Sequence, residues 1–124
     1  MQVKIDPESF LPLKPAAFHI LLALVDGERH GYGIMQEVRQ STNNSVKLGP
    51  GTLYGTIKRL LADGLILESE ERPDAELDDE RRRYYYLTEL GRRVITLEVQ
   101  RLANLVNMAS AKKLLDGSIA GGNF

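Results

Sequence analysis

The chain contains no cysteine and no tryptophan among its 124 residues. Without thiols there is no disulfide framework and no thiolate metal site. The two histidines, His19 and His30, stand apart in sequence, so the ligand supply for a metal is poor and neither a metal nor another cofactor is expected. A pocket built on indole stacking is excluded as well. No apolar run approaches the ~20 residues of a membrane span. The first residues, Met1 to Asp6, carry no basic region leading into an apolar core, so no signal peptide is expected. Nucleophile–base pairs and phosphate-cradling glycine loops are also missing, which argues against an enzyme. A soluble cytoplasmic protein with no membrane partner is the expectation.

Net charge is also in short supply, at -1. Its distribution is uneven. From Glu68 to Glu80 the chain carries eight acids and only Arg72 against them. Outside that run the balance is basic, so one acidic loop masks a positive remainder.

What is present is helical periodicity. Leu53, Ile57, Leu60 and Leu61 form one buried stripe between Pro50, suited to a first helical turn, and Gly64, suited to a helix exit. The opposite face presents Gly51, Gly55, Lys58, Arg59 and Ala62, flanked by Thr52 and Tyr54. Gly55 inside a helix costs roughly 1 kcal/mol against alanine, which suggests that something approaches the backbone there. Cations, hydroxyls and small residues on one face suit phosphates and base edges, although a solvated helix face would look similar.

Residues 1–13 read as an arm. Pro15 opens a helix to about Val25 that is apolar almost all round, so one side faces the core and the other a second subunit. A second helix runs from about Gly33 to Gln40, with Ile34, Met35 and Val38 as its stripe. Ser41 to Asn44 is a turn cluster. Ser45 to Leu48 is either a brief strand or an extended link. Helix, helix, link, helix is the spacing of a helix-turn-helix with a support helix. Leu65 to Glu70 and Arg81 to Leu87 read as two strands around the acidic loop, with Tyr85 and Leu87 on the core face and Tyr84 and Tyr86 on the other. That arrangement is a winged helix.

Thr88 is a good N-cap, and a helix of roughly 40 Å follows to about Leu115. It carries two apolar stripes. Leu90, Val94, Leu97, Leu105 and Met108 form one. Ile95, Val99, Leu102, Val106 and Ala109 form the other, in heptad spacing. One stripe can dock on the domain and the other pair with a partner helix; alternatively the helix folds back on its own domain. The expected fold class is therefore mainly α with a small β-wing (α+β): a winged helix-turn-helix over residues 1–88, a C-terminal dimerisation helix over 89–116 and a tail over 117–124.

Three blocks resemble the PadR family of bacterial transcriptional regulators, in its short branch with a single C-terminal helix. They are His30-Gly31-Tyr32-Gly33-Ile34, then Pro50-Gly51-Thr52-Leu53-Tyr54 with Lys58-Arg59-Leu60 and Asp63-Gly64-Leu65-Ile66, then Arg82-Arg83-Tyr84-Tyr85 with Leu87-Thr88 and Gly91. The resemblance implies a dimeric repressor whose third helix enters the major groove of a near-palindromic double-stranded operator. It implies a homodimer through the last helix, aided by the first. Family effectors include phenolic acids and drug-like aromatics, so a small aromatic effector is a further expectation. The sequence departs from the family pattern at Gly55, Thr56 and Tyr86, and in its acidic wing. Negative charge is repelled by phosphates, which moves the expected wing contact from the tip to Arg81, Arg82 and Arg83 at its base.

The candidate DNA-contacting residues are Lys58 and Arg59 first, with Gly55 on the same face as a point of close backbone approach. Thr52 could meet a phosphate or simply cap its helix. Tyr54 could bond a phosphate or pack half-buried. Lys47 could touch backbone or be a plain surface lysine. Tyr84 joins the three wing arginines, or supports the wing. For His30 a structural hydrogen bond is favoured over a DNA contact, and His19 reads as a core or interface histidine. The candidate dimer face comprises Phe18, Leu21, Leu22 and Val25 with Ile95, Val99, Leu102, Val106 and Ala109. An effector pocket is expected between subunits near Phe18, Leu22, Leu97 and Met108. The competing function is a winged-helix protein-interaction module that no longer binds DNA.

Overall fold

A computed structural model describes residues 4–69 and 83–115. A short 3-10 turn, Pro7–Phe10, leads into α1 (Pro15–Ala23), β1 (Arg29–His30), α2 (Gly31–Ser41), α3 (Pro50–Ala62), β2 (Ile66–Glu68), β3 (Tyr84–Leu87) and α4 (Glu89–Ala111). The first helix ends two residues short of the expected Val25, and the last stops at Ala111 rather than near Leu115. Ser45 to Leu48 is the link, not a strand, and Leu48 is buried in it.

Helices α1, α2 and α3 pack around a core built from Ile20, Leu21, Leu24, Ile34, Val38, Leu53, Ile57 and Leu60. The α3 stripe is buried as its spacing requires. Gly64 leaves that helix at φ +76°, a region where a side chain is strained. Asn43 and Asn44 take φ 50° and 67° in the turn after α2, a conformation asparagine tolerates.

The sheet has three strands in the order β1-β3-β2, all antiparallel. The third strand, β1, was not expected. Two residues carry no readable alternation, and β1 exists because Arg29 and His30 pair with Tyr85 and Tyr84. Tyr85 is buried and Tyr86 exposed, as alternation requires. Burial, and after it the neighbouring Glu68, push the Tyr85 phenol up from its ordinary value.

The described part of the N-terminal segment is tied down. Phe10, Leu11 and Leu13 pack against the core. The Leu13 N–H donates to the Glu98 carboxylate of α4 at 2.8 Å. Glu98 is 2% exposed, and the Arg101 guanidinium donates to it at 3.0 Å. The Arg101 hydrogen bond foremost, and the Leu13 N–H, hold this carboxyl below its ordinary value against the opposing push of burial. A depressed folded-state value means the stabilisation is present above the unfolded value of 4.5 and is lost as pH falls through the folded one. The wild type is therefore expected to lose stability in acid below about pH 4.5, and Glu98→Gln to flatten that dependence. Urea melts at stepped pH check it; parallel curves for the two proteins would refute it.

Candidate nucleic-acid interface

Helix α3 turns Leu53, Ile57 and Leu60 inward and leaves Gly51, Gly55, Lys58, Arg59 and Ala62 exposed. A Cβ added at Gly51 or Gly55 would meet nothing within 4 Å. No part of the described chain uses the space above Gly55, so that space is open to an external partner. Among the described residues, neither Lys58 nor Arg59 has an ion-pair partner. The helix therefore offers two uncommitted cations beside bare backbone. Thr52 is exposed, and the first turn of α3 has no side-chain cap, so local capping by Thr52 is not what the structure contains.

Tyr54 is 42% exposed, and its ring lies over the start of α2. A Cβ at Gly31 would stand 2.5 Å from the Tyr54 hydroxyl oxygen and 2.9 Å from two ring carbons. Glycine at 31 thus lets the third helix seat against the second. The obstruction is the far end of a half-exposed ring, which can swing away. Gly31→Ala is expected to change stability by less than about 1 kcal/mol while moving the Tyr54 ring. Thermal melts and the Tyr54 ring resonances read both; unmoved resonances would count against this packing.

His30 caps α2 through Nδ1, which accepts the Gly33 N–H at 3.0 Å. Its ring meets Tyr84 edge-on at 5.3 Å and stacks on Tyr32 at 6.3 Å. The hydrogen bond favoured for His30 is what the structure contains, and Tyr84 is the ring its edge-on contact reaches. Arg83 is exposed and pairs with Glu68 across the strands at 3.4 Å. One wing-base arginine is thus already engaged by an acid. Arg81, Arg82 and the loop from residue 70 to 80 lie outside the described residues. Lys47 is exposed just before α3. His19 is half-buried and meets the Phe18 ring edge-on.

Two residues of the expected dimer face need correction. Leu21 is 0% exposed and Ile95 3%. Both side chains are spent on the core of their own chain, because α4 crosses the domain on Gly91, Val94, Ile95 and Glu98 rather than on one heptad stripe. Leu22 and Val99 are exposed; Phe18, Val25, Leu102, Val106 and Ala109 are half-buried. Leu105 and Met108, assigned to the other stripe, are exposed as well. Both stripes begin covered; the first ends exposed at Leu105 and Met108, whereas the second is exposed at Val99 and half-buried from Leu102 to Ala109.

The expected effector residues are not gathered within one chain. Met108 follows Leu97 by roughly 16 Å along α4. A cavity of about 530 Å³ lies elsewhere, between the N-terminal segment, α1 and α3, and includes none of Phe18, Leu22, Leu97 and Met108. A smaller concavity of about 260 Å³ lies on α2, where Tyr32, Gln36 and Arg39 are exposed. Gln36 and Arg39 were not anticipated, and Tyr32 was read only as part of a motif block. Among the described residues no group of three or more His, Asp or Glu could hold a metal ion, and no helix is long and apolar enough to cross a membrane.

This architecture has many solved counterparts. A PadR-family regulator from Clostridium difficile aligns with a TM-score of 0.65 at 24% identity, covering 82% of this chain and 100% of that one. Bacillus subtilis PadR, solved in complex with operator DNA, aligns at 0.60 and 20% identity over 71% of this chain and 48% of its own. By sequence, a transcriptional regulator of Mycobacterium tuberculosis is 38% identical over 99 residues, which is 80% of this chain and 81% of that protein. A transposon-encoded 37.1 kDa protein of Streptomyces fradiae is 37% identical over 86 residues, where the match spans only 22% of its length. Residues 20–97 match the family described as transcriptional regulator PadR-like. With that match over most of its length, on a winged helix whose third helix bares two cations, the chain belongs to the PadR-like family of transcriptional regulators.

Proposed function

We propose that the chain is a homodimeric repressor that binds a near-palindromic operator by laying α3 in the major groove. The observation that carries this reading is the α3 face. Lys58 and Arg59 are exposed without ion-pair partners among the described residues, beside glycines with open space above them. Cations neutralise phosphates, and bare backbone permits close approach to base edges. The Bacillus subtilis relative solved with operator DNA supports the same assignment. Arg83 and the two arginines before it would reach flanking phosphates.

Dimerisation would cover the exposed Leu22 of α1 and Val99, Leu105 and Met108 of α4. A helix with this much uncovered apolar surface gains from burial against its copy, at roughly 25 cal/mol per Å². A small aromatic effector would then sit between the subunits, near Phe18, Leu22, Leu97 and Met108, and release the operator. The Arg83–Glu68 pair favours a second reading, a protein-interaction module, since it neutralises part of the wing base.

Selection of bound fragments from the source genome tests the proposal. The expected result is a short near-palindromic site recovered by the wild-type protein. Recovery of nothing above background at low salt would overturn it.

A further inference from the structure

The open groove of about 530 Å³ begins at the outer face of α3. Gly51, Thr52, Gly55 and Arg59 line it from α3, and Lys14 lines it from the N-terminal segment, just ahead of α1. We propose that this groove seats the sugar-phosphate backbone of one operator strand, and that Lys14 is a phosphate-contacting residue of the N-terminal segment. The proposal rests on the reading of α3 as the DNA-binding helix and extends that surface beyond it.

Three observations support this occupant. The groove is continuous with the α3 face, sharing four residues with it, so a duplex laid on Gly55 and Arg59 passes over its mouth. Its charge is complementary: the lining holds two cations, Lys14 and Arg59, to one acid, Asp63, and among the described residues neither cation is ion-paired. Thr52 and Thr56 add hydroxyl donors for phosphate oxygens, while Pro12, Ala16 and Ala17 add apolar lining for the deoxyribose faces.

The placement of Lys14 is also fixed. Its neighbour Leu13 donates its N–H to the buried Glu98 carboxylate, so the residue before Lys14 is anchored to α4. The Phe18 N–H donates to the Lys14 carbonyl at 3.0 Å, which anchors the other side. A cation on an otherwise loose arm would lose much of its contact energy in ordering; this backbone is already ordered.

Phosphate contacts are independent of sequence, so a fluorescein-labelled duplex of mixed sequence, about 30 base pairs long, suffices as the probe. Anisotropy titrations at several salt concentrations compare the wild type with Lys14→Ala, Lys14→Arg and Lys112→Ala, the last at the far end of α4. Lys14→Ala is expected to bind about tenfold more weakly, with a log–log salt slope shallower by about 0.9 per chain. Lys14→Arg should restore both, and Lys112→Ala should match the wild type, with equal melting temperatures throughout. Wild-type binding with an unchanged Lys14→Ala affinity and slope would overturn the groove assignment alone. Absence of binding by the wild type would overturn it together with the α3 reading. Loss of anilinonaphthalene sulfonate fluorescence in Ala17→Phe, with DNA affinity unchanged in Lys14→Ala, would give the groove to a small amphipathic anion and also overturn the proposal.

Discussion

Gly91→Ala is expected to lower the melting temperature by about 10 °C or more, the largest loss expected of a glycine-to-alanine change among the described residues. In an ordinary helix the change gains about 1 kcal/mol. Here a Cβ would overlap the carbonyl oxygen of Leu65, 2.9 Å from its carbonyl carbon and 3.3 Å from its Cα. Those atoms are backbone, and they are held. The Thr88 N–H donates to the Leu65 carbonyl at 3.1 Å, the Thr88 hydroxyl donates to the Gly64 carbonyl at 2.7 Å, and the Gly91 N–H donates back to that hydroxyl at 3.0 Å. Leu65 itself is buried. The exit of α3, the wing strand β2 and the start of α4 are fastened at this point, so relief requires moving a helix. The expected cost is about 3 kcal/mol. Gly55→Ala is the control, because its Cβ would meet nothing and the helix should gain up to about 1 kcal/mol. Thermal melts of both read the difference. A Gly91→Ala protein as stable as wild type would mean the crossing is looser than its geometry.

Lys58→Ala/Arg59→Ala is expected to reduce DNA affinity at least about a hundredfold near physiological salt, and to flatten the salt dependence by about two units per chain. Both side chains are exposed, and among the described residues both lack ion-pair partners, so their removal should alter stability by less than about 1 kcal/mol. That separation makes the double variant informative: a binding loss with an unchanged melting temperature cannot be ascribed to unfolding. Anisotropy titration across salt measures it. An unchanged affinity and slope would remove α3 from the interface.

The α3 helix was legible because its pattern is local. Leu53, Ile57 and Leu60 recur at helical spacing, Pro50 and Gly64 mark its ends, and the residues left over define the outer face. The wing was legible from alternation in Tyr84 to Leu87 and from the turn in composition before it. What escaped was set by contacts distant in sequence. Strand β1 is two residues long and exists only through its pairing with β3. Glu98 reads as a polar position between two heptad stripes, yet it is buried because Leu13, 85 residues away, brings it an N–H. The same docking takes Ile95 into the core and breaks the division of α4 into one stripe for the domain and one for a partner. Gly31 and Gly91 were visible as family motif residues, but their reasons, a tyrosine ring and a carbonyl, lie on other elements. The groove beside Lys14 needs three segments to be placed before it exists.

The measurement that bears most directly on the DNA reading is the affinity of the wild-type chain for its selected fragment between about 50 and 200 mM salt. A regulator holding phosphates through α3, the wing base and Lys14 should lose on the order of a thousandfold over that interval, linearly in the logarithm of salt. An affinity that barely responds to salt, or no binding even at the lowest concentration, would contradict it and direct attention to the acidic wing and a protein partner.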